Sequence, residues 1–175
     1  YMDKQDLEQL LSDVADGVVT PAVALTRLQT APTADLGFAQ LDLSRGVRQG
    51  AGEVVYGAGK TAEQIAAIIE ALHDAGQERI LVTRLDSEKA ARTSKLLDNG
   101  IDLGYVPDAQ LALVGGKPSP TGNGRIVVAC AGTSDLPVAE EAALTAEFYG
   151  NEVDRLYDVG VAGLHRLLAH AEELA

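Results

Sequence analysis

Between Ile126 and Leu174 the sequence twice alternates a strand-length apolar run with a helix-period stretch, and this alternation constrains the fold more than any other feature. Ile126-Val127-Val128-Ala129 reads as a buried strand, followed by a small-residue loop over 130–136. A helix then runs from Pro137 to about Tyr149, carrying Val138, Ala142, Ala143 and Ala146, and Gly150 stops it. Val153 to Val159 reads as a second strand. From Val161 onward, Leu164, Leu167, Leu168, Ala171 and Leu174 mark a second helix. Strands joined by a crossover helix pair in parallel, so the segment predicts a β-α-β-α unit of a parallel sheet.

Similar patterning runs upstream. Leu7, Leu10, Leu11 and Val14 share one face of an amphipathic helix that Gly17 ends, and Thr20 before Pro21 reads as the cap of a short helix through Leu25 and Leu28. Residues 53–56 form a short strand, and Thr61 with Gln64 forms a capping box for a helix burying Ile65, Ile68, Ile69 and Leu72. Gly76 ends that helix; a strand from Arg79 to Thr83, a helix from about Glu88 to Leu97, and short strands at 103–106 and 111–114 follow. This alternation too predicts a parallel sheet. Residues 115–124 contain four glycines and two prolines, which suit neither a helix interior nor a central strand. The expected organisation is a helical plus α/β domain over 1–114, a Gly/Pro linker over 115–124, and part of a second α/β domain over 125–175.

Composition narrows the functional classes. With 46% hydrophobic but only 4% aromatic residues, the core must be built from Ala, Val, Leu and Ile. A net charge of −12 argues against nucleic acid and anionic membrane surfaces as partners, but permits an anionic small molecule in a locally positive pocket. No apolar run reaches membrane-spanning length, and the single cysteine, Cys130, has no partner for an intramolecular disulfide, so the cytoplasm is the expected compartment. His73, His165 and His170 share no metal-ligand spacing; no metal or cofactor is required, and Mg2+ stays open. Glu140 and Glu141 read as dipole-favoured carboxylates of a first helical turn, and Cys130 as a core residue at the end of a buried strand.

Two loops carry the candidate chemistry. Gly132-Thr133-Ser134-Asp135 lies between strand and helix, where free N–H groups and the helix dipole attract an anion. Gly132 allows close approach, Thr133 and Ser134 offer hydroxyls, and Asp135 can accept from a ribose; equally, Ser134 and Asp135 can simply cap the helix. Tyr157-Asp158-Val159-Gly160-Val161-Ala162-Gly163-Leu164-His165-Arg166 leaves the next strand on the same side. Asp158 supplies an acceptor, Gly160 and Gly163 the turn, His165 a proton-transfer group and Arg166 a phosphate partner, or His165 and Arg166 are ordinary surface residues. Gly57-Ala58-Gly59-Lys60-Thr61 fails as a Walker A loop because Val54 stands where its first glycine is needed. Lys60, Arg45 and Arg48 are candidate anion ligands, or solvated and salt-bridged cations.

At these loops the sequence resembles a known family. Ala131-Gly132-Thr133-Ser134-Asp135-Leu136-Pro137-Val138-Ala139-Glu140-Glu141 and the run Tyr157–Arg166 look like the LarB family, carboxylase/hydrolases of nickel-pincer nucleotide cofactor biosynthesis related to PurE-type aminoimidazole ribonucleotide carboxylases. Leu36-Gly37-Phe38-Ala39, Asp42, Arg45, Arg48 and Gly57–Thr61 extend the resemblance over nearly the whole chain. It implies a small N-terminal α/β domain followed by the first half of a PurE-like (flavodoxin- or Rossmann-like) three-layer αβα domain. It also implies carboxylation of the pyridinium ring of nicotinic acid adenine dinucleotide by CO2 or bicarbonate, with phosphoanhydride cleavage to a biscarboxylated mononucleotide and AMP, in a homo-octamer. Thr133, Ser134 and Asp135 would hold phosphate or ribose, and His165 and Arg166 would line the reacting centre.

The sequence departs from the family at Ala51-Gly52, where a Phe-Pro pair is usual, and it stops at Ala175 before a Gly-Met-Glu-Gly-Ala-Leu-Pro-type segment and a nucleophilic cysteine. Cys130 does not occupy that cysteine's place. The expectation is therefore a truncated chain, inactive by itself, whose two-stranded second sheet must borrow partners. The alternatives are an aminoimidazole ribonucleotide carboxylase or mutase, and a nucleotide-binding module without chemistry.

Overall fold

The computed structural model describes residues 4–29, 33–43, 52–98 and 100–171. Helix α1 (Lys4–Ala15) turns at Gly17, which sits at φ 73, into α2 (Pro21–Gln29), whose start is capped by the Thr20 hydroxyl accepting from the Val23 N–H at 3.3 Å. The pair buries Leu10, Val19 and Ala24 between its own faces. Next comes an antiparallel hairpin of β1 (Thr33–Asp35) and β2 (Gln40–Asp42) that periodicity did not reveal. Three-residue strands leave no alternation to read. The turn is instead set by Asp35, whose carboxylate accepts from the Gly37 N–H at 2.8 Å, and by the Leu36 N–H donating to the Ala39 carbonyl.

A four-stranded sheet follows, built from β3 (Val54–Tyr56), β4 (Ile80–Thr83), β5 (Leu103–Val106) and β6 (Leu111–Val114) in the order β3-β4-β6-β5. Helices α3 (Ala62–Asp74) and α4 (Ser87–Leu96) connect β3 to β4 and β4 to β5. The capping box forms, with Thr61 and Gln64 exchanging side chain-to-backbone hydrogen bonds of 3.2 and 3.0 Å, and Asp86 caps α4 at 2.8 Å. The expected parallel sheet is corrected: only β3 and β4 are parallel, while β6 runs antiparallel to both β4 and β5. The cause is the Pro107–Gln110 turn, too short to cross the sheet, so β5 and β6 can pair only as a hairpin.

The core has two sides. Ile65, Ile69 and Leu72 of α3 pack with Val55, Ile80 and Val82 on one face of the sheet. Leu81, Leu111 and Leu113 on the other face meet Leu144 and Phe148 of α5 (Leu136–Phe148), so helices cover both faces. The segment 115–124 is tied down along the end of α5. Lys117 pairs with Glu147 at 2.7 Å, and the Thr121 and Gly122 N–H groups both reach the Gly150 carbonyl.

The β-α-β-α unit consists of β7 (Arg125–Ala129), a 3-10 turn at Thr133–Asp135, α5, β8 (Glu152–Leu156), a second 3-10 turn at Val161–Gly163, and α6 (Leu164–Leu168). The two strands are parallel, in the register Arg125↔Glu152 to Ala129↔Leu156, and α5 packs on them. Two expectations are corrected here. Strand β7 is not buried: Ile126 is 40% exposed, because the two-stranded sheet has little beyond α5 to cover it. The last helix is also short: it ends at Leu168, where Leu164 and Leu168 stand 50% and 61% exposed, and Leu174, expected in it, lies outside the described residues. A helix of one turn and a half gains little without tertiary burial. None of the helices among the described residues is long and apolar enough to cross a membrane.

Candidate functional site

The site is built by extending the β7–β8 ladder past its last strand residues. The Cys130 N–H donates to the Leu156 carbonyl, and the Val159 and Gly160 N–H groups donate to the Cys130 and Ala131 carbonyls, each at 3.1 Å. Gly160 permits this approach, since a Cβ there would lie 2.9 Å from the Ala131 oxygen. The loops after β7 and β8 are thereby bonded side by side at the carboxyl ends of two parallel strands, as their order along the chain led one to expect.

In the first loop, Thr133, Ser134 and Asp135 are all exposed just ahead of α5. Asp135 does not cap that helix, which corrects one role considered for it. Its Oδ2 accepts from the Gly132 N–H at 3.1 Å while its own N–H donates to the Gly132 carbonyl at 3.0 Å, folding the loop onto itself. Among the described residues the Thr133 and Ser134 hydroxyls make no hydrogen bond, and neither caps α5. Exposed hydroxyls beside the start of a 13-residue helix can donate to an anion.

In the second loop Asp158 takes a left-handed backbone at φ 60 and pairs with the Nη1 of Arg166. Gly163 leaves the space that the guanidinium crosses: a Cβ there would lie 2.6 Å from Arg166 Nε. His165 is exposed on the first turn of α6. Cys130 is buried beneath the loops, its Sγ 3.8 Å from the Gly132 carbonyl oxygen.

An ion network that sequence reasoning missed braces the loops from behind. Glu140 accepts from Arg155 Nε at 3.2 Å and from the Tyr157 hydroxyl at 2.8 Å, and Arg155 Nη1 reaches Glu147 at 2.5 Å. Burial, reinforced by the Glu140 carboxylate, pushes the Tyr157 phenol up to about 12. The Arg155 hydrogen bond holds Glu147 below the usual carboxylate range despite its partial burial. Glu141 pairs with Arg84 at 2.9 Å and so ties α5 to the first sheet. Glu140 and Glu141 lie in the second turn of α5 rather than the first turn expected for them, and their partners are protein groups. The available signal was spacing: Arg155 and Tyr157 alternate along a strand, and Glu140 and Glu147 stand two helical turns apart.

Lys60 is not brought to these loops. The Lys60 ammonium donates to the Tyr56 carbonyl at 3.0 Å and lines a cavity of about 360 Å3 with Thr61, Glu63, Asp86, Lys89 and Arg92. Arg92 pairs there with Glu63, and Lys89 with Asp86 and the Gly57 carbonyl. Arg45 and Arg48 lie outside the described residues. Among the described residues, no group of three or more His, Cys, Asp or Glu converges as a metal site.

Residues 33–115 match the LarB/PurE-like N-terminal domain family. An uncharacterized protein of Methanocaldococcus jannaschii is 35% identical over 130 residues, covering 73% of this chain and 51% of the relative. The chain thus spans about half the length of the curated relative it matches. The family match contains the hairpin, the four-stranded sheet and Lys60, and it ends where the Gly/Pro segment begins.

Proposed function

Because the chain carries a LarB/PurE-like N-terminal domain, we propose that it serves a carboxylase-type enzyme acting on a nucleotide, with nicotinic acid adenine dinucleotide as substrate. One observation carries the reading beyond the family: the exposed Gly132–Asp135 loop at the start of α5 is hydrogen-bonded alongside the loop that holds Asp158, His165 and Arg166. An anion at the α5 terminus would meet backbone N–H groups and the Thr133 and Ser134 hydroxyls, with the Arg166 guanidinium on the neighbouring loop as counter-charge. The free oxygen of Asp135 suits a ribose hydroxyl. His165, exposed beside this cluster, is the candidate to move a proton when the pyridinium ring exchanges a hydrogen for a carboxyl group from CO2. Water attack on the phosphoanhydride would then release AMP.

The oligomer implied by the family resemblance is proposed as well, since a parallel two-stranded sheet with Ile126, Leu164 and Leu168 exposed has apolar surface to cover. The cytoplasm is the compartment proposed for this chemistry. The test is product analysis by mass after the gene's complete product is incubated with nicotinic acid adenine dinucleotide and bicarbonate. A biscarboxylated mononucleotide together with AMP supports the reading. Turnover of aminoimidazole ribonucleotide instead would move the protein to the purine branch, and binding without turnover would make it a nucleotide-binding module.

A further inference from the structure

Resting on the nucleotide reading of the two loops, we propose that Asp158 is a positioning residue which, with the side-chain gap at Gly163, holds the Arg166 guanidinium ready for a phosphate. Asp158 Oδ2 accepts from Arg166 Nη1 eight residues further on. The guanidinium crosses the face of Gly163, where a Cβ would lie 2.6 Å from Nε and 3.0 Å from Nη2. The two contacts come from opposite ends of the turn and fix the same group. Asp158 itself is held at φ 60, a conformation that Asp and Asn tolerate better than other side chains.

What the clamp supplies is geometry. Arg166 and Asp158 are 41% and 62% exposed, and an ion pair so open to water adds little to fold stability. It engages one of the five N–H donors of the guanidinium and leaves the others for a ligand. An unclamped arginine on a helix of five residues would have to lose its rotamer freedom on binding, which weakens affinity. The clamp also stands directly before Val159 and Gly160, whose N–H groups donate to the Cys130 and Ala131 carbonyls just ahead of Gly132–Asp135, so Arg166 is referenced to the loop it is meant to complement.

The test uses AMP as the probe, titrated calorimetrically into the full chain. Arg166→Ala should weaken binding most, while Asp158→Asn and Gly163→Ala should each weaken it by about two- to a hundredfold, the range of coupling between groups in contact. Asn keeps the left-handed backbone, so thermal stability should not move with Asp158→Asn. Combining Asp158→Asn with Arg166→Ala should cost no more than Arg166→Ala alone. A ligand-free measurement separates this inference from the reading beneath it: NMR relaxation should show the Arg166 Nε–H ordered in the wild type and mobile in Asp158→Asn. Equal or tighter AMP binding by Asp158→Asn, with Arg166→Ala still defective, would mean that Asp158 masks Arg166 and would overturn the inference. An Arg166 side chain already mobile in the wild type would overturn it too. An ordered Arg166 in a protein that does not bind AMP would overturn the phosphate role and, separately, the nucleotide reading.

Discussion

The Tyr157 hydroxyl, closed off by α5 and donating to Glu140, shows how single residues here are committed to bracing the site. Burial and the adjacent carboxylate raise its pKa to about 12. A group whose folded pKa exceeds its unfolded value of about 10 adds stability below pH 10, and that contribution is lost as pH rises through the folded value. An NMR titration of the Tyr157 ring should therefore show it protonated at pH 11, and a midpoint near 10 would remove the bond to Glu140 from the account. Thr93 presents the opposite case. Its hydroxyl is fully buried on α4 and finds no partner among the described residues. Thr93→Val should raise stability by about 1 kcal/mol, the cost of an unsatisfied buried polar group, as read by chemical denaturation. A loss of stability would mean that the hydroxyl has a partner such as a buried water. Neither residue was legible in the sequence, because a hydroxyl's partners depend on which elements come to lie over it.

Among elements, those with strong local rules were legible and those set by their neighbours were not. Thr61, Gln64 and the Ile65, Ile68, Ile69 and Leu72 stripe predict α3, and the structure contains both the capping box and the buried face. The small-residue loop between β7 and α5 also lies where spacing put it. The hairpin of β1 and β2 was missed because three-residue strands carry no period, and the orientation of β6 was missed because four turn residues decide it. For α6 the apolar stripe predicted a helix through Leu174, but the helix ends at Leu168 with Leu164 and Leu168 exposed, and Leu174 lies outside the described residues. The pairing of the two candidate loops followed from the rule that parallel strands end together, and Gly160 is the residue on which it depends. Gly160→Ala would bring a Cβ within 2.9 Å of the Ala131 oxygen. It should cost about 1–3 kcal/mol by overpacking and weaken nucleotide binding along with it. Wild-type stability and binding in that variant would show that the loops do not need this approach.

At the scale of the whole molecule, α5 joins the parts. It buries Leu144 and Phe148 against the first sheet, pairs Glu141 with Arg84, and carries Glu140 and Glu147 to Arg155. Because Glu147 titrates below the ordinary carboxylate range, its ion pairs stabilise the fold at neutral pH, and that contribution disappears as pH falls from about 5 through the folded value. Glu147→Gln should accordingly melt below the wild type at pH 7 and converge with it as the pH falls through the folded value; parallel melting curves across that range would contradict the sign. The central claim is that an anionic nucleotide sits where α5 begins. Calorimetric titration of AMP into the wild type and into Ser134→Glu tests it most directly. A carboxylate placed against a phosphate in a partly desolvated site should cost on the order of several kcal/mol. Saturable binding in the wild type, lost in Ser134→Glu with the melting temperature unchanged, is the result the account predicts. Equal affinity in the two proteins would return Ser134 to an ordinary loop residue and contradict the account.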